Sequence, residues 1–298
     1  MLRVPSLTHL TTFVAIGKRR SFRKAAEDLM LTPGAISQQL QSLENQLGCK
    51  LFNRSSREVT FTEKGKRYYS AVSPLISEIS EITHEIFASE RKPSIVVSVM
   101  PAFALRWLIP RLDTFYAQNP EITVNINATE RLIDFDADDV DIAIRHGLGA
   151  YPNLEAVRLF SEDLVPVCSP KLLKHGKTLT NISELRRFTL LHDSIAKDWS
   201  LFLNALNISD VSSDAGPRFD SDNLLIQSAV EGHGVALARA SLVASEIESG
   251  RLVVPFDHRV PSEFAYYLVF PKNRPLRNPA ALFRDWIANQ SKKFSDQI

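Results

Sequence analysis

Over the first fifty residues the apolar positions recur every three or four places, the spacing of one helix face. Leu7, Leu10, Phe13, Val14 and Ile16 mark a first helix from Ser6, and Gly17 reads as its stop. Ser21 can cap a second, short helix whose stripe is Phe22, Ala25, Ala26 and Leu29. Thr32 ahead of Pro33 is a hydroxyl cap before a proline at the first helical position, where the missing N–H costs nothing. The third helix runs to about Leu47, burying Ile36, Leu40, Leu43 and Leu47, and Gly48 ends it. The pattern then alternates: Lys50 to Thr62 predicts a β-ribbon with its turn at Asn53 to Ser56. From Glu63 to about Arg91, Tyr68, Val72, Leu75, Ile79, Ile82 and Ile86 form a seam that predicts a long helix pairing with a second copy, a homodimer. Pro74 predicts a kink or a division in it.

Beyond Pro93 short apolar runs alternate with helical ones. Strands are expected at Ile95 to Val99, Ile122 to Ile126, Val140 to Ile144, Leu164 to Cys168, Val235 to Ala238 and Tyr266 to Phe270, which reads as βαβ units in mainly parallel sheets. The organisation expected is a winged helix-turn-helix domain over residues 1–62, a linker helix over 63–92 and an α/β domain over 93–298. That last part is long enough for two lobes, about 93–165 with 266–298, and about 166–265.

A short helix, a tight turn and a longer helix with a polar outer face form the DNA-reading unit whose second helix enters the major groove. The outer face holds Ser37, Gln38, Gln39, Gln41, Ser42 and Asn45, residue types that hydrogen-bond base edges. Gly34 and Ala35 permit close approach at the helix start, and Ser21, Arg23, Thr32 and Pro33 flank it. Arg54 and Arg57 at the tip of the ribbon suit phosphate contacts. The alternative is an exposed face that is merely soluble, with solvated loop arginines.

Charge supports double-stranded DNA as the partner. Residues 1–66 hold 11 Lys or Arg against 5 Asp or Glu, a balance of +6, and the remaining 24 basic and 29 acidic residues give −5. With 44% hydrophobic residues the chain is globular in composition, and no run of about 18 apolar residues appears. No membrane span and no export signal are expected, so the cytoplasm is the expected location. The two cysteines, Cys49 and Cys168, fall in different domains and suggest neither a disulfide nor a metal set, and no cofactor motif is present.

In an open α/β sheet a ligand binds beyond the carboxyl ends of the strands. That rule selects Met100, Pro101, Ala102 and Phe103, then Thr129 and Glu130, Arg145 and His146, and Cys168 and Ser169. Asp222 and Asn223 open a further helix, whose amides favour an anion. Arg145 can hold a carboxylate in a bidentate fork, which points to a small carboxylate-bearing effector. Alternatively Arg145 pairs with Asp139 or Asp141 and Thr129 caps a helix.

Several stretches carry a resemblance. Phe22-Arg23-Lys24-Ala25-Ala26, Thr32 to Leu40, Leu43-Glu44, Leu47-Gly48, Leu51-Phe52, Arg54 and Thr62-Glu63-Lys64-Gly65 resemble the signature of LysR-type transcriptional regulators. Arg106 to Leu112, Asp139 to Arg145, Leu164 to Pro170 and Gly234 to Leu237 resemble the branch that holds activators of the glycine-cleavage operon and regulators of β-lactamase. The resemblance implies a two-lobed effector domain like a type 2 periplasmic binding protein, a homotetramer built as a dimer of dimers, and control through DNA bending. RNA polymerase is then a candidate partner. Gly17 to Arg20 departs from the family by being basic. Two other classes compete: an α/β enzyme, for which no nucleophile elbow, phosphate loop or metal spacing is present, and a transporter's solute-binding protein, which would lack the basic head.

Overall fold

The computed structural model describes residues 4–54, 59–87, 92–135, 138–173, 179, 181–193, 198–256, 258–272 and 275–295. The chain divides into two compact units, one of Met1–Pro93 with Leu132–Val140, the other of Ser94–Arg131 with Asp141–Ile298.

The head begins with α1, Leu7–Arg19, capped by the Ser6 hydroxyl on the His9 N–H. It passes through Gly17 and stops at Arg20, whose φ of 48° is left-handed. Gly17 is therefore no stop. It is buried, and a Cβ there would overlap the rings of Tyr69 and Phe61, so its role is to let an aromatic layer approach the helix. Helices α2, Phe22–Asp28, and α3, Pro33–Leu47, follow, with Ser21 and Thr32 as caps and Gly48 at φ 67° closing α3. Strands β1, Phe52–Arg54, and β2, Val59–Phe61, form the antiparallel ribbon. Phe13, Ile16, Ala25, Ala26, Ile36, Leu40, Leu43, Leu51, Phe52 and Tyr69 make one core.

Helix α4, Glu63–Phe87, is continuous through Pro74. The expected division does not occur, because one lost hydrogen bond is a local cost that a 25-residue helix absorbs. The expected seam also splits in two. Tyr68 packs on the head core and Val72 is 8% exposed, whereas Leu75, Ile79 and Ile82 stand open to solvent. Ile86 and Arg91 lie outside the residues whose side chains are described.

In the second unit β3, Ser94–Val99, leads through the short α5, Pro101–Phe103, a π-turn at Ala104–Leu108 and α6, Leu112–Gln118, to β4, Thr123–Ala128. Then come β5, Ile142–Gly147, β6, Leu154–Val167, β7, Leu190–Asp193, α7, Asp198–Ala205, β8, Arg218–Phe219, and α8, Asp222–Val230. The unit ends with β9, Val235–Arg239, α9, Ala240–Glu248, β10, Val260–Pro271, and α10, Asn278–Ser295. The strands run β4-β3-β5-β10-β6-β9-β7-β8.

This sheet is mixed, which corrects the mainly parallel expectation. β3 is parallel to β4 and β5, and β7 to β8 and β9, but β10 is antiparallel to β5 and β6, and β6 to β9. Two long strands serve both lobes. Leu154–Phe160 of β6 pairs with Tyr266–Pro271 of β10, whereas Leu164–Val167 pairs with β9, and the β6–β10 register shifts between Pro261 and Ala265. One core, around Ile95, Trp107, Phe115, Tyr266 and Phe283, lies in the first lobe. Two more clothe the faces of the second, around Trp199 and Phe202 and around Leu225 and Leu242.

Gly17→Ala separates the two readings of that glycine. In an open helix interior the change stabilises by about 1 kcal/mol. Here we expect a loss of about 1–3 kcal/mol, because the core is overpacked. Urea unfolding followed by helical circular dichroism measures the sign.

Candidate nucleic-acid interface and effector crevice

Helix α3 turns Ile36, Leu40 and Leu43 inward. At 100° per residue the opposite stripe is Gly34, Gln38, Gln41 and Asn45. Gln38 is exposed, and neither it nor Ser37 makes a side-chain hydrogen bond among the described residues. Ser42 donates to the Gln38 carbonyl at 3.0 Å. Gln39 leaves the stripe: its amide oxygen accepts from the buried Thr12 hydroxyl, which ties α3 to α1. The cap hydroxyls of Ser21 and Thr32 accept from Lys24 and Ala35 N–H groups at 3.3 and 3.2 Å, leaving each hydroxyl proton free. Pro33 opens α3, and Ala35 is half-buried. Arg23 is exposed and pairs with Glu27 at 3.2 Å. Arg57 lies outside the described residues, and Arg54 is described only as the last residue of β1.

Glu44 is a residue that composition alone assigns to the surface, yet only 3% of it is exposed. It accepts from the Leu51 N–H at 2.8 Å and from Lys50 Nζ at 2.7 Å. Burial pushes its carboxyl pKa up, but the hydrogen bonds from Lys50 and from the Leu51 and Phe52 amides outweigh this and hold it below the ordinary range. The carboxylate thus fastens the end of α3 to the start of the ribbon. Lys50 also donates to Gln41 Oε1 at 3.1 Å, and Gln41 Nε2 to Asn45 Oδ1 at 2.7 Å.

In the first lobe the parallel register aligns the carboxyl ends of three strands, Val99 facing both Ala128 and Ile144. Met100, Thr129 and Arg145 come together there, the Thr129 N–H bonding Val99 O at 2.9 Å. The Thr129 hydroxyl accepts from the Arg131 N–H at 3.2 Å, a local turn, and Glu130 is exposed. Arg145 is buried at 7% exposure. Its guanidinium donates to Ser98 Oγ at 2.7 Å and to the carbonyls of Ile144 and Arg131 at 2.8 and 3.2 Å. It pairs with neither Asp139 nor Asp141, since Arg277 and the Val96 N–H hold Asp141. Among the described residues no carboxylate meets Arg145, and burial lowers its pKa. His146 stacks on Phe264 and Tyr266, its Nε2 is buried without a partner, and burial lowers its pKa to about 3. Pro101 is half-buried, but Ala102 packs in a second-lobe core and Phe103 in the first-lobe core against Trp107 and Tyr266. These last two are packing residues.

In the second lobe the crevice edge is the carboxyl end of β7 and β9. Cys168 and Ser169 do not reach it. β6 runs antiparallel to β9, so Leu164 faces Arg239 while Val167 faces Ala236, and the residues after β6 emerge at the far end. Cys168 is fully buried, bridged to Val253, and its thiol pKa rises to about 11 through burial. Ser169, 2% exposed, accepts from the Lys171 N–H. Asp222 binds Arg239 at 2.6 Å, so a carboxylate already stands at the start of α8. Asn223 accepts from Arg106 Nε at 3.0 Å, and Arg106 pairs with Glu246 at 2.5 Å, joining the π-turn of one lobe to α8 and α9 of the other.

Sequence reading missed Arg106, Glu162, Arg239 and Glu246. Glu162 accepts from the hydroxyl and N–H of Ser241, and burial raises its pKa to about 7. The available signal was a charge at the end of an apolar run: Glu162 follows Leu159-Phe160-Ser161, and Arg239 follows Val235 to Ala238. A separate concavity of about 80 Å³ beside β7, lined by His192, Asp193, Asp198, Trp199 and Arg218, contains none of the expected effector residues.

Residues 7–66 match the bacterial regulatory helix-turn-helix proteins of the lysR family, and residues 88–292 the LysR substrate binding domain. The chain is 40% identical to the glycine cleavage system transcriptional activator of Escherichia coli strain K12, over 98% of this chain and 97% of that one. It is 33% identical to the transcriptional activator AmpR of Providencia stuartii, over 98% of each. The effector domain of the regulator AmpR of Pseudomonas aeruginosa superposes with a TM-score of 0.61 at 28% identity, covering 69% of this chain and 98% of that domain.

The buried carboxylate makes the head acid-sensitive. A pKa lowered by folding stabilises fully above the ordinary glutamate range near 4.5, and the contribution fades as pH falls through the lower folded value. We expect Glu44→Gln to lose about 1–3 kcal/mol at neutral pH and to show a shallower stability loss between about pH 5 and 3. Denaturant titrations across that range measure both slopes, and parallel slopes would remove the charge from the account.

Proposed function

Because the chain belongs to the lysR family of bacterial helix-turn-helix regulators, we propose that its second unit binds a small carboxylate-bearing effector and thereby alters DNA bending and promoter activity. The protein is a DNA-binding transcriptional regulator with an effector-binding domain, and its relatives are regulators, not enzymes. The observation that carries the effector reading is Arg145. A guanidinium taken out of water is stable only when its charge is answered, and among the described residues it meets only a hydroxyl and two carbonyls. An anion supplied from outside completes it. On the second lobe the Arg239 cation is already answered by Asp222, so the cation left for an incoming carboxylate is the one on the first lobe.

Two heads are held together by α4, whose exposed Leu75, Ile79 and Ile82 need a partner of the same kind. The dimer sets two copies of α3 into successive major grooves, and pairs of dimers form the tetramer. Ligand closure of the lobes then changes the spacing of the heads. This works only if the effector binds one arrangement better than the other, by about 1.4 kcal/mol for each tenfold shift. RNA polymerase is the downstream partner, and the cytoplasm, where the DNA is, is the site of action.

Gln38, free on the outer stripe, reads a base, whereas Arg54 meets phosphate. Gln38→Ala is expected to relax base preference, and Arg54→Ala to weaken all duplexes and reduce the salt slope by about one unit. Salt titrations on matched and scrambled duplexes separate the two, and identical behaviour would reject the assignment. For the effector, calorimetry of the protein with a panel of amino acids and short peptides identifies a ligand. Arg145→Ala should then lose about 2 kcal/mol or more of its affinity, and an unchanged affinity excludes Arg145.

A further inference from the structure

Lys50 follows α3 and belongs to the loop before the ribbon, yet its ammonium is tied to the outer stripe of the helix. It donates to Glu44 at 2.7 Å and to Gln41 at 3.1 Å. An ammonium has donors and no acceptor, so it fixes which end of the Gln41 amide faces it: the oxygen. The Gln41 nitrogen then donates to Asn45 Oδ1 at 2.7 Å, and this fixes the Asn45 amide with its nitrogen unengaged. The chain of bonds runs in one direction because it starts on a cation, and Glu44, buried and doubly bonded, holds that cation in place.

The consequence is chemical. The polar hydrogens left over belong to Gln41 Nε2, Asn45 Nδ2 and Lys50 Nζ, all donors. A free glutamine pairs with adenine through one donor and one acceptor, matching N7 and the N6 amino group. Gln41 has turned its oxygen toward the Lys50 ammonium, so the lone pair that remains could meet the adenine N6 amino group only beside a positive charge that repels that donor. Guanine presents two acceptors in the major groove, N7 and O6, and suits a donor edge beside a positive charge. We propose that Lys50 is a specificity-determining residue, which holds Gln41 and Asn45 with their donors outermost beside a positive charge, an edge that selects guanine over adenine. This rests on the reading that α3 enters the major groove, and it separates the end of the helix from its beginning, where Gln38 remains uncommitted.

The test is selection by the full-length protein from a randomised duplex library, followed by sequencing. The wild type should enrich guanine at one position of each half-site. Lys50→Met, which frees Gln41 to turn, should move that position toward adenine by about tenfold and leave the others as they were, and Lys50→Arg should keep guanine. Should Lys50→Met fail to fold for want of a partner for Glu44, the pair Glu44→Gln and Lys50→Met together removes both charges and gives the same reading. Equal weakening at every position, with the salt slope reduced by about one unit, would make Lys50 a phosphate contact and overturn the proposal. A wild type that enriches no sequence at all would reject base reading by α3 itself.

Discussion

A charged side chain withdrawn from water must find its charge answered, and that requirement arranges both units of this protein. The effective penalty is several kcal/mol for each ion. Glu44 meets it with an ammonium and backbone N–H groups, Arg239 with Asp222, and Arg106 with Glu246. Each of these pairs joins elements that would otherwise be independent: the recognition helix to the ribbon, β9 to α8, one lobe to the other. Arg145 stands apart because the described residues give it only neutral oxygens. The inequality is the physical basis for reading the crevice as a site that waits for an anion.

The crevice itself owes its shape to β6 and β10. Both strands serve both lobes, and their register shift falls where the ladder passes from one lobe to the other. Buried polar groups gather at that passage: Glu162 accepts from Ser241, and the Tyr266 ring packs against His146 and Phe103. In the proposed mechanism, closure of the lobes would act on β6, β10 and the Arg106–Glu246 pair.

In the head the same requirement links the packing of α3 to the order of its outer face. The carboxylate that fastens α3 to the ribbon also holds the lysine that orders Gln41 and Asn45. Under the proposed reading of bases by α3, the atoms that fasten the helix to the ribbon are also those that order its outer edge.

Local pattern alone was enough for the helices of the head and for three of their ends, since Ser21, Thr32 and Gly48 act within a few residues of themselves. It was enough as well for the outward stripe of α3 and for the existence of most strands, because periodicity records which side of an element is wet. What it left open were matters of long-range pairing. Gly17 looks like a stop until Tyr69 and Phe61 arrive from elsewhere in the chain, and Pro74 like a break until the rest of α4 carries the helix past it. Strand direction is not written in an apolar run, so the antiparallel course of β6 took Cys168 and Ser169 away from the crevice and brought Arg239 and Glu162 toward it. The sequence by itself determined which segments form and which faces they bury; only the tertiary structure decided which charges meet, because partners such as Arg106 and Glu246 are 140 residues apart.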